Sequence, residues 1–203
     1  MKKIIFLGDS ITDASHCFLE NPLGNGYVNM VAEKLNDSDG GRKKYDIMNR
    51  GHDGFTIHGV KRILEKECIL KRPDVVSILI GNDVGVMMNT GKSLEEQQFE
   101  ACYEAIVKEI TEQSDAKLIC MSPFIVPYPR MYENWIPGIK QTERIEKKIA
   151  EKYHADFLAL QEMIILKAEN ESVTTDGIHL TEYGNEIIAG AWLQLFEKIK
   201  DGD

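Results

Sequence analysis

The sequence predicts an α/β fold, a three-layer α/β/α sandwich built around a five-stranded parallel sheet. Five short apolar, β-favouring runs alternate with stretches of helical periodicity. The first run, residues 4–7, is apolar at every position and breaks at Gly8, as a strand buried on both faces of a parallel sheet would. The 203 residues, 43% of them hydrophobic, suffice for one well-buried core and are few for two. Residues 1–203 are therefore expected to form a single domain.

Strands are expected at residues 2–7, 45–49, 74–80, 117–121 and 156–160. Between the second and third, Ile57, Val60, Ile63, Leu64 and Cys68 recur at helical spacing. Phe99, Cys102, Tyr103, Ile106, Val107 and Ile110 do the same before the fourth. The last helix has the clearest stripe, Ile187, Ile188, Ala191, Trp192, Leu195, Phe196 and Ile199, after a Thr181 placed to cap it. The mixed Lys/Glu segments KRILEKE and RIEKKIAEK read as solvated helix faces. There is no internal repeat, linker or low-complexity segment.

A net charge of −9 and a pI near 5.1 argue against a nucleic-acid surface, which calls for a basic stripe. Only four apolar residues follow Lys3 before Gly8, too few for a signal-peptide core, and no segment is long enough to span a bilayer. Cys17, Cys68, Cys102 and Cys120 contain no CxxC, so neither a zinc nor a redox motif is expected, and the last three read as core thiols. A cytoplasmic protein without metal or cofactor, and without a nucleic-acid or membrane partner, is the expectation. A homo-oligomer is left open.

Polar residues gather just past the strand ends: GDS after the first, NRGHDG (49–54) after the second, GND (81–83) after the third. Each alone reads equally as a turn, since Gly, Asn and Asp are turn formers. Together they fall on the edge of a parallel sheet where functional residues collect. Near the C-terminus, TTDGIHLTEYG sets Asp176 three residues before His179 in a glycine-containing turn. A serine becomes a good nucleophile when a base takes its proton, and histidine is such a base near neutral pH. A carboxylate such as Asp176 would fix the tautomer of His179 and stabilise its charged form. The negative charge on an acyl oxygen needs pre-aimed donors. Candidates are the N–H of Ser10, the N–H of Gly51, where no Cβ blocks a close approach, and the side-chain amide of Asn82.

Ser10 in GDSITD, Gly51 in NRGHDG, Asn82 in GND and His179 in DGIHL together resemble, in order and over essentially the whole chain, the four blocks of the SGNH hydrolases, or GDSL esterases. The resemblance implies a flavodoxin-like sandwich with Ser10 as nucleophile, His179 as base and Asp176 as its partner, and Ser10, Gly51 and Asn82 as the oxyanion hole. Two departures stand out. The third block usually reads Gly-x-Asn-Asp, so Ile80 occupies the usual glycine position or the strand end is rearranged. The second block usually has serine where this chain has Asp53, whose carboxylate is expected to face away from the reacting carbonyl.

GDSITDA, LGNGYV, PDVVSILIG and MSPF resemble a bacterial intracellular branch of the family that includes acetylxylan esterases acting on short acetylated oligosaccharides. The resemblance implies a small-molecule ester substrate, an O-acetylated sugar. Thioester and lysophospholipid substrates with longer acyl chains are the runner-up. A flavodoxin-like phosphate or flavin module using GDSIT as an anion cradle, or a phosphate enzyme built on Asp9, would leave Asp176 and His179 unexplained. No P-loop or G-x-G-x-x-G pattern supports either. Residues 123–138, rich in proline and aromatics, either shape the pocket, with Tyr132 or Trp135 against a sugar ring, or form a rigid cover or subunit contact. His16, His52, His58 and His154 have no carboxylate at the spacing of Asp176 and His179 within a strand-end turn and are expected to be surface or satisfied structural residues; His52, inside the second block, could line the pocket without acting as the base. Ser122 follows a strand but precedes Pro123, which suggests an extended turn.

Overall fold

The structure, a computed structural model, describes residues 1–37 and 44–200. Five parallel strands, β1 (Lys2–Gly8), β2 (Tyr45–Gly51), β3 (Val75–Leu79), β4 (Lys117–Met121) and β5 (Asp156–Leu158), form one sheet in the order β2-β1-β3-β4-β5. This is the expected three-layer sandwich. The first two strands run one to two residues past the apolar runs because the ladder continues through the backbone of Gly8, paired with Gly51. The fifth is shorter than expected: the chain leaves β4's edge after Leu158, and the Leu160 N–H donates instead to the Ser122 hydroxyl at 2.8 Å.

Alternation along β1 assigns the two layers. Ile5 and Leu7 face a core with Ile57, Val60 and Leu64 of α3 (Ile57–Glu67) and Tyr103, Ile106 and Ile110 of α5 (Phe99–Gln113). Ile4 and Phe6 face the other way, against α2 (Tyr27–Asp37), α7 (Gln161–Ala168) and α8 (Glu182–Ile199). There the Phe6 and Trp192 rings lie 5.1 Å apart, and the Trp192 indole donates to the buried Ser77 hydroxyl at 3.1 Å. Burial of the indole thus leaves no unpaired donor. Thr181 caps α8 as its sequence suggests, accepting from Gly184 N at 3.1 Å.

Helix α1 (Ser10–Asp13) is a single turn, α4 runs Asn82–Thr90, and α6 runs Ile136–Lys152 after a 3₁₀ segment at Arg130–Trp135. The solvated-face reading of α6 holds for Lys148 and Lys152, which pair with Glu100 and Glu104. It fails for Glu146, which is fully buried with both carboxylate oxygens unpartnered, and burial pushes its carboxyl well above the usual range. Among the described residues no helix is long and apolar enough to cross a membrane.

The chain passes from β1 to β2 on one side and returns across β1 to β3 on the other. The carboxyl ends of β1 and β3 therefore border a topological switch point, where open α/β sheets form a crevice. Ser10 lies two residues past the end of β1.

Candidate active site

The turn bearing Ser10 is built by Asp9. Its Oδ1 accepts from Ile11 N (3.1 Å), capping α1, and its Oδ2 accepts from Gly81 N (2.9 Å) and Asn82 N (3.2 Å) beyond β3. One buried carboxylate thereby fixes the first and third polar loops against each other. Burial pushes the Asp9 carboxyl up, against the pull of these three N–H bonds. Gly8 is required just before it, since a Cβ there would lie 2.3 Å from the Leu79 carbonyl oxygen and from Thr12 Oγ1.

Asp176 and His179 meet as their spacing suggests. Asp176 Oδ2 is 2.7 Å from His179 Nδ1, and its Oδ1 accepts from the N–H groups of Ile178 (2.9 Å) and His179 (2.7 Å). Burial pushes the Asp176 carboxyl up, but the bonds from His179 and Ile178 outweigh it and hold the group below the ordinary carboxylate range. The tight turn uses Gly177 at φ +97°, where a Cβ would also strike the Tyr128 carbonyl oxygen at 2.3 Å. His179 is about half exposed, at 53% of its side chain, and Nε2 carries no hydrogen bond among the described residues. It lines a cavity of about 370 Å³ that Ser10 also lines, though no hydrogen bond joins the two side chains. Such contacts are often long before substrate is bound.

Gly51 does not supply a free donor. Its N–H donates to Asn49 Oδ1 at 2.9 Å, and its missing Cβ makes room for Asp13 N, 2.3 Å from where that carbon would be. The glycine serves a close approach, as expected, but to the backbone of α1 rather than to a ligand. Asn49, fully buried, completes the clamp by donating from Nδ2 to the carbonyls of Thr12 (2.6 Å) and Leu23 (3.0 Å). The second glycine of the same block, Gly54, is in contact with Asn82. Gly54 adopts φ +73° with open space where a Cβ would be, and its carbonyl accepts from Asn82 Nδ2 at 2.8 Å. The N–H groups of Ser10 and Gly54 carry no hydrogen bond among the described residues. The sequence signal for Gly54 was present, a second glycine beside a turn-forming aspartate.

Asn82 opens α4 and lines, with Ser10, a second cavity of about 340 Å³. Ile80 continues the strand alternation into the core, so the altered third block leaves Asn82 beside Ser10. Asp53 is among the residues that line the first cavity with Ser10 and His179. Its carboxylate makes no hydrogen bond to Ser10, Gly54 or Asn82, while its N–H donates to Asp13 Oδ2 at 2.9 Å.

Residues 123–138 shape the second cavity through Pro123, Ile125, Met131, Tyr132 and Trp135. The Tyr132 and Trp135 rings meet edge to face at 4.9 Å, and Trp135 packs over Gly85 of α4. Ser122 is a buried structural hydroxyl. His58 bonds the Gln97 carbonyl at 2.7 Å, as a satisfied structural residue does. His16 is satisfied by Asp13, three residues before it and 2.7 Å from His16 Nδ1, the same spacing and contact as in the Asp176 and His179 pair but at the end of α1.

The model of the GDSL-like lipase/acylhydrolase family matches residues 6–187, and the chain belongs to that family. An acetylxylan esterase from Geobacillus stearothermophilus is 29% identical over 95% of this chain and 93% of its own. A solved structure of Axe2, an acetyl xylan esterase from the same organism, superposes with a TM-score of 0.83 at 27% identity, covering 95% of this chain and 93% of that one. Catalytic mutants of Axe2 in which a serine, an aspartate or a histidine is replaced by alanine match with TM-scores of 0.76–0.79. A GDSL-like lipase fold from Parabacteroides merdae gives a TM-score of 0.86 at 24% identity, over 95% and 94% of the two chains, which supports the fold alone. The protein is a carboxylic ester hydrolase.

Proposed function

We propose that the protein is a serine esterase that removes short acyl groups, O-acetyl groups of carbohydrates above all, through an acyl-Ser10 intermediate. The observation that carries this reading is the 2.7 Å contact between Asp176 and His179 in a cavity that Ser10 shares. With Nδ1–H held by Asp176, Nε2 of His179 is the free base. It takes the Ser10 hydroxyl proton as Oγ attacks the acyl carbon, then returns that proton to the oxygen of the leaving alcohol. Water, deprotonated by the same nitrogen, attacks the acyl-serine and releases the carboxylic acid.

The developing oxyanion is received by the N–H of Ser10, the N–H of Gly54 in place of Gly51, and Asn82 Nδ2. An amide nitrogen has two hydrogens, and only one of those on Asn82 is committed to the Gly54 carbonyl. Asp9 acts on this hole by fixing the backbone at Asn82.

The acetyl-sugar assignment draws on the likeness to acetylxylan esterase and on the flat faces of Tyr132 and Trp135 at the second cavity. All four cysteines are free thiols, which suits a reducing compartment such as the cytoplasm. The apolar lining of that cavity also favours the second reading, a longer acyl chain on a thioester or lysophospholipid. Acetate release from acetylated xylo-oligosaccharides, alongside p-nitrophenyl esters from acetate to decanoate, separates them. Preference for acetate with turnover of the acetylated sugar is expected. Absence of acetate release with rising activity toward decanoate would overturn the sugar assignment.

A further inference from the structure

We propose that Asp13, His16, Cys17 and His52 form a binding site for a zinc-like divalent transition-metal ion that adjoins the candidate active site through Asp13. Donor atoms of the first three lie within 4.8 Å of one another, and His52 Nδ1 lies 3.6 Å from Cys17 Sγ. Cys17 Sγ is 3.8 Å from His16 Nδ1, which in turn is 2.7 Å from Asp13 Oδ1.

The separations within Asp13, His16 and Cys17 and that between Cys17 and His52 suit tetrahedral coordination, with the His52 ring turning toward the ion to complete it. Arms of about 2.0 Å to nitrogen and 2.3 Å to sulfur place those two atoms about 3.5 Å apart. The Asp13 and His16 contact, now a hydrogen bond, opens by about half an ångström when both atoms turn to a shared ion. One thiolate, two imidazoles and one carboxylate are a donor set for zinc or cobalt rather than for magnesium or calcium, which take oxygen ligands. The other oxygen of Asp13 is already held by the Asp53 N–H at 2.9 Å, the kind of outer hydrogen bond that orients a ligating carboxylate.

Binding replaces the Cys17 thiol proton by the metal and releases that proton to solvent, with both imidazoles bound neutral. Nothing in the cysteine spacing signals the site, because its donors come from the end of α1, the turn after it and His52, 35 residues beyond Cys17. Asp13 and Asp53 also line the cavity of Ser10, so an ion here would place positive charge beside the ester site.

The test is cobalt and zinc titration of the purified, thiol-reduced full chain and of C17S, H16A and H179A. The wild type is expected to take up one cobalt ion, with thiolate-to-cobalt charge-transfer absorption and the intense visible bands of a tetrahedral ion. Zinc should displace it, measured against a chromophoric chelator. C17S should abolish the charge-transfer band, and C17S and H16A should each weaken zinc binding at least about a hundredfold, beyond the roughly 10–100-fold loss expected from removing an outer hydrogen-bond partner. H179A should bind as the wild type does. No stoichiometric uptake, or uptake that survives C17S and H16A and is lost in H179A, would overturn the proposal.

Discussion

Asp9 and Asn82, 73 residues apart in sequence, are joined by a 3.2 Å hydrogen bond from the Asn82 N–H to Asp9 Oδ2, the oxygen that also accepts from Gly81 N. The acid beside the candidate nucleophile thus holds the start of α4, where Asn82 lines a cavity with Ser10.

Asp9→Asn turns an acceptor toward these N–H groups into a residue that also brings two hydrogens. At least one buried N–H loses its partner, costing about 1–3 kcal/mol. Urea unfolding should show that loss. Steady-state kinetics should show kcat down at least about tenfold as Asn82 shifts, whereas an unchanged kcat would separate Asp9 from the oxyanion hole.

Asn82→Ala removes a single donor and should lower kcat by about a hundredfold to a thousandfold, with KM much less affected. Gly51→Ala should instead act on folding, since its Cβ would meet Asp13 N at 2.3 Å. Thermal unfolding alongside kinetics distinguishes the two, and a stable Gly51→Ala enzyme with only its kcat reduced would restore Gly51 as a donor.

Asp83 is buried beside this site. Burial pushes its carboxyl up to about 6, against one bond from Ile57 N to its Oδ2, while Oδ1 has no partner. A folded-state value above the unfolded one means that its contribution to stability is fully present below about pH 4 and lost as pH rises through about 6. Asp83→Asn keeps an acceptor for Ile57 and cannot ionise. Its stability relative to the wild type should therefore improve between pH 4 and pH 7, by up to about 3 kcal/mol. A pH-independent difference in unfolding free energy would contradict the assignment.

Trp192→Ala should cost about 3–5 kcal/mol, because the indole is fully buried against Phe6 and Phe196 and its loss also leaves the Ser77 hydroxyl with only its bond to Met121 Sδ. Chemical denaturation measures this directly, and a cost below about 1 kcal/mol would mean that the layer collapses around the gap.

Ser10, the five strands and the pairing of Asp176 with His179 were legible because each rests on local pattern: an apolar run closed by glycine, or an acid and a base one turn apart. The length of β1 and β2 was less so, since Gly8 and Gly51 have no β propensity and are held by the ladder. Asn49 and Gly54 went unread for the same reason as Asp9's task. Their partners are Thr12, Leu23, Asn82 and Gly81, brought close only by the fold. Glu146 looked solvated in a Lys/Glu run, yet helical phase turns it inward. The Asp13 and His16 pair has the same spacing, but it lies at a one-turn helix end rather than in a strand-end loop, so only the fold shows its contact.

The central claim is tested most directly by mixing wild type and Ser10→Ala separately with p-nitrophenyl acetate, quenching in acid and mapping peptides by mass. The account predicts one acetyl group on the wild-type peptide containing Ser10, with neither acetylation there nor appreciable turnover in the variant. Hydrolysis that persists in Ser10→Ala, or an acyl group found on another residue during turnover, would contradict it.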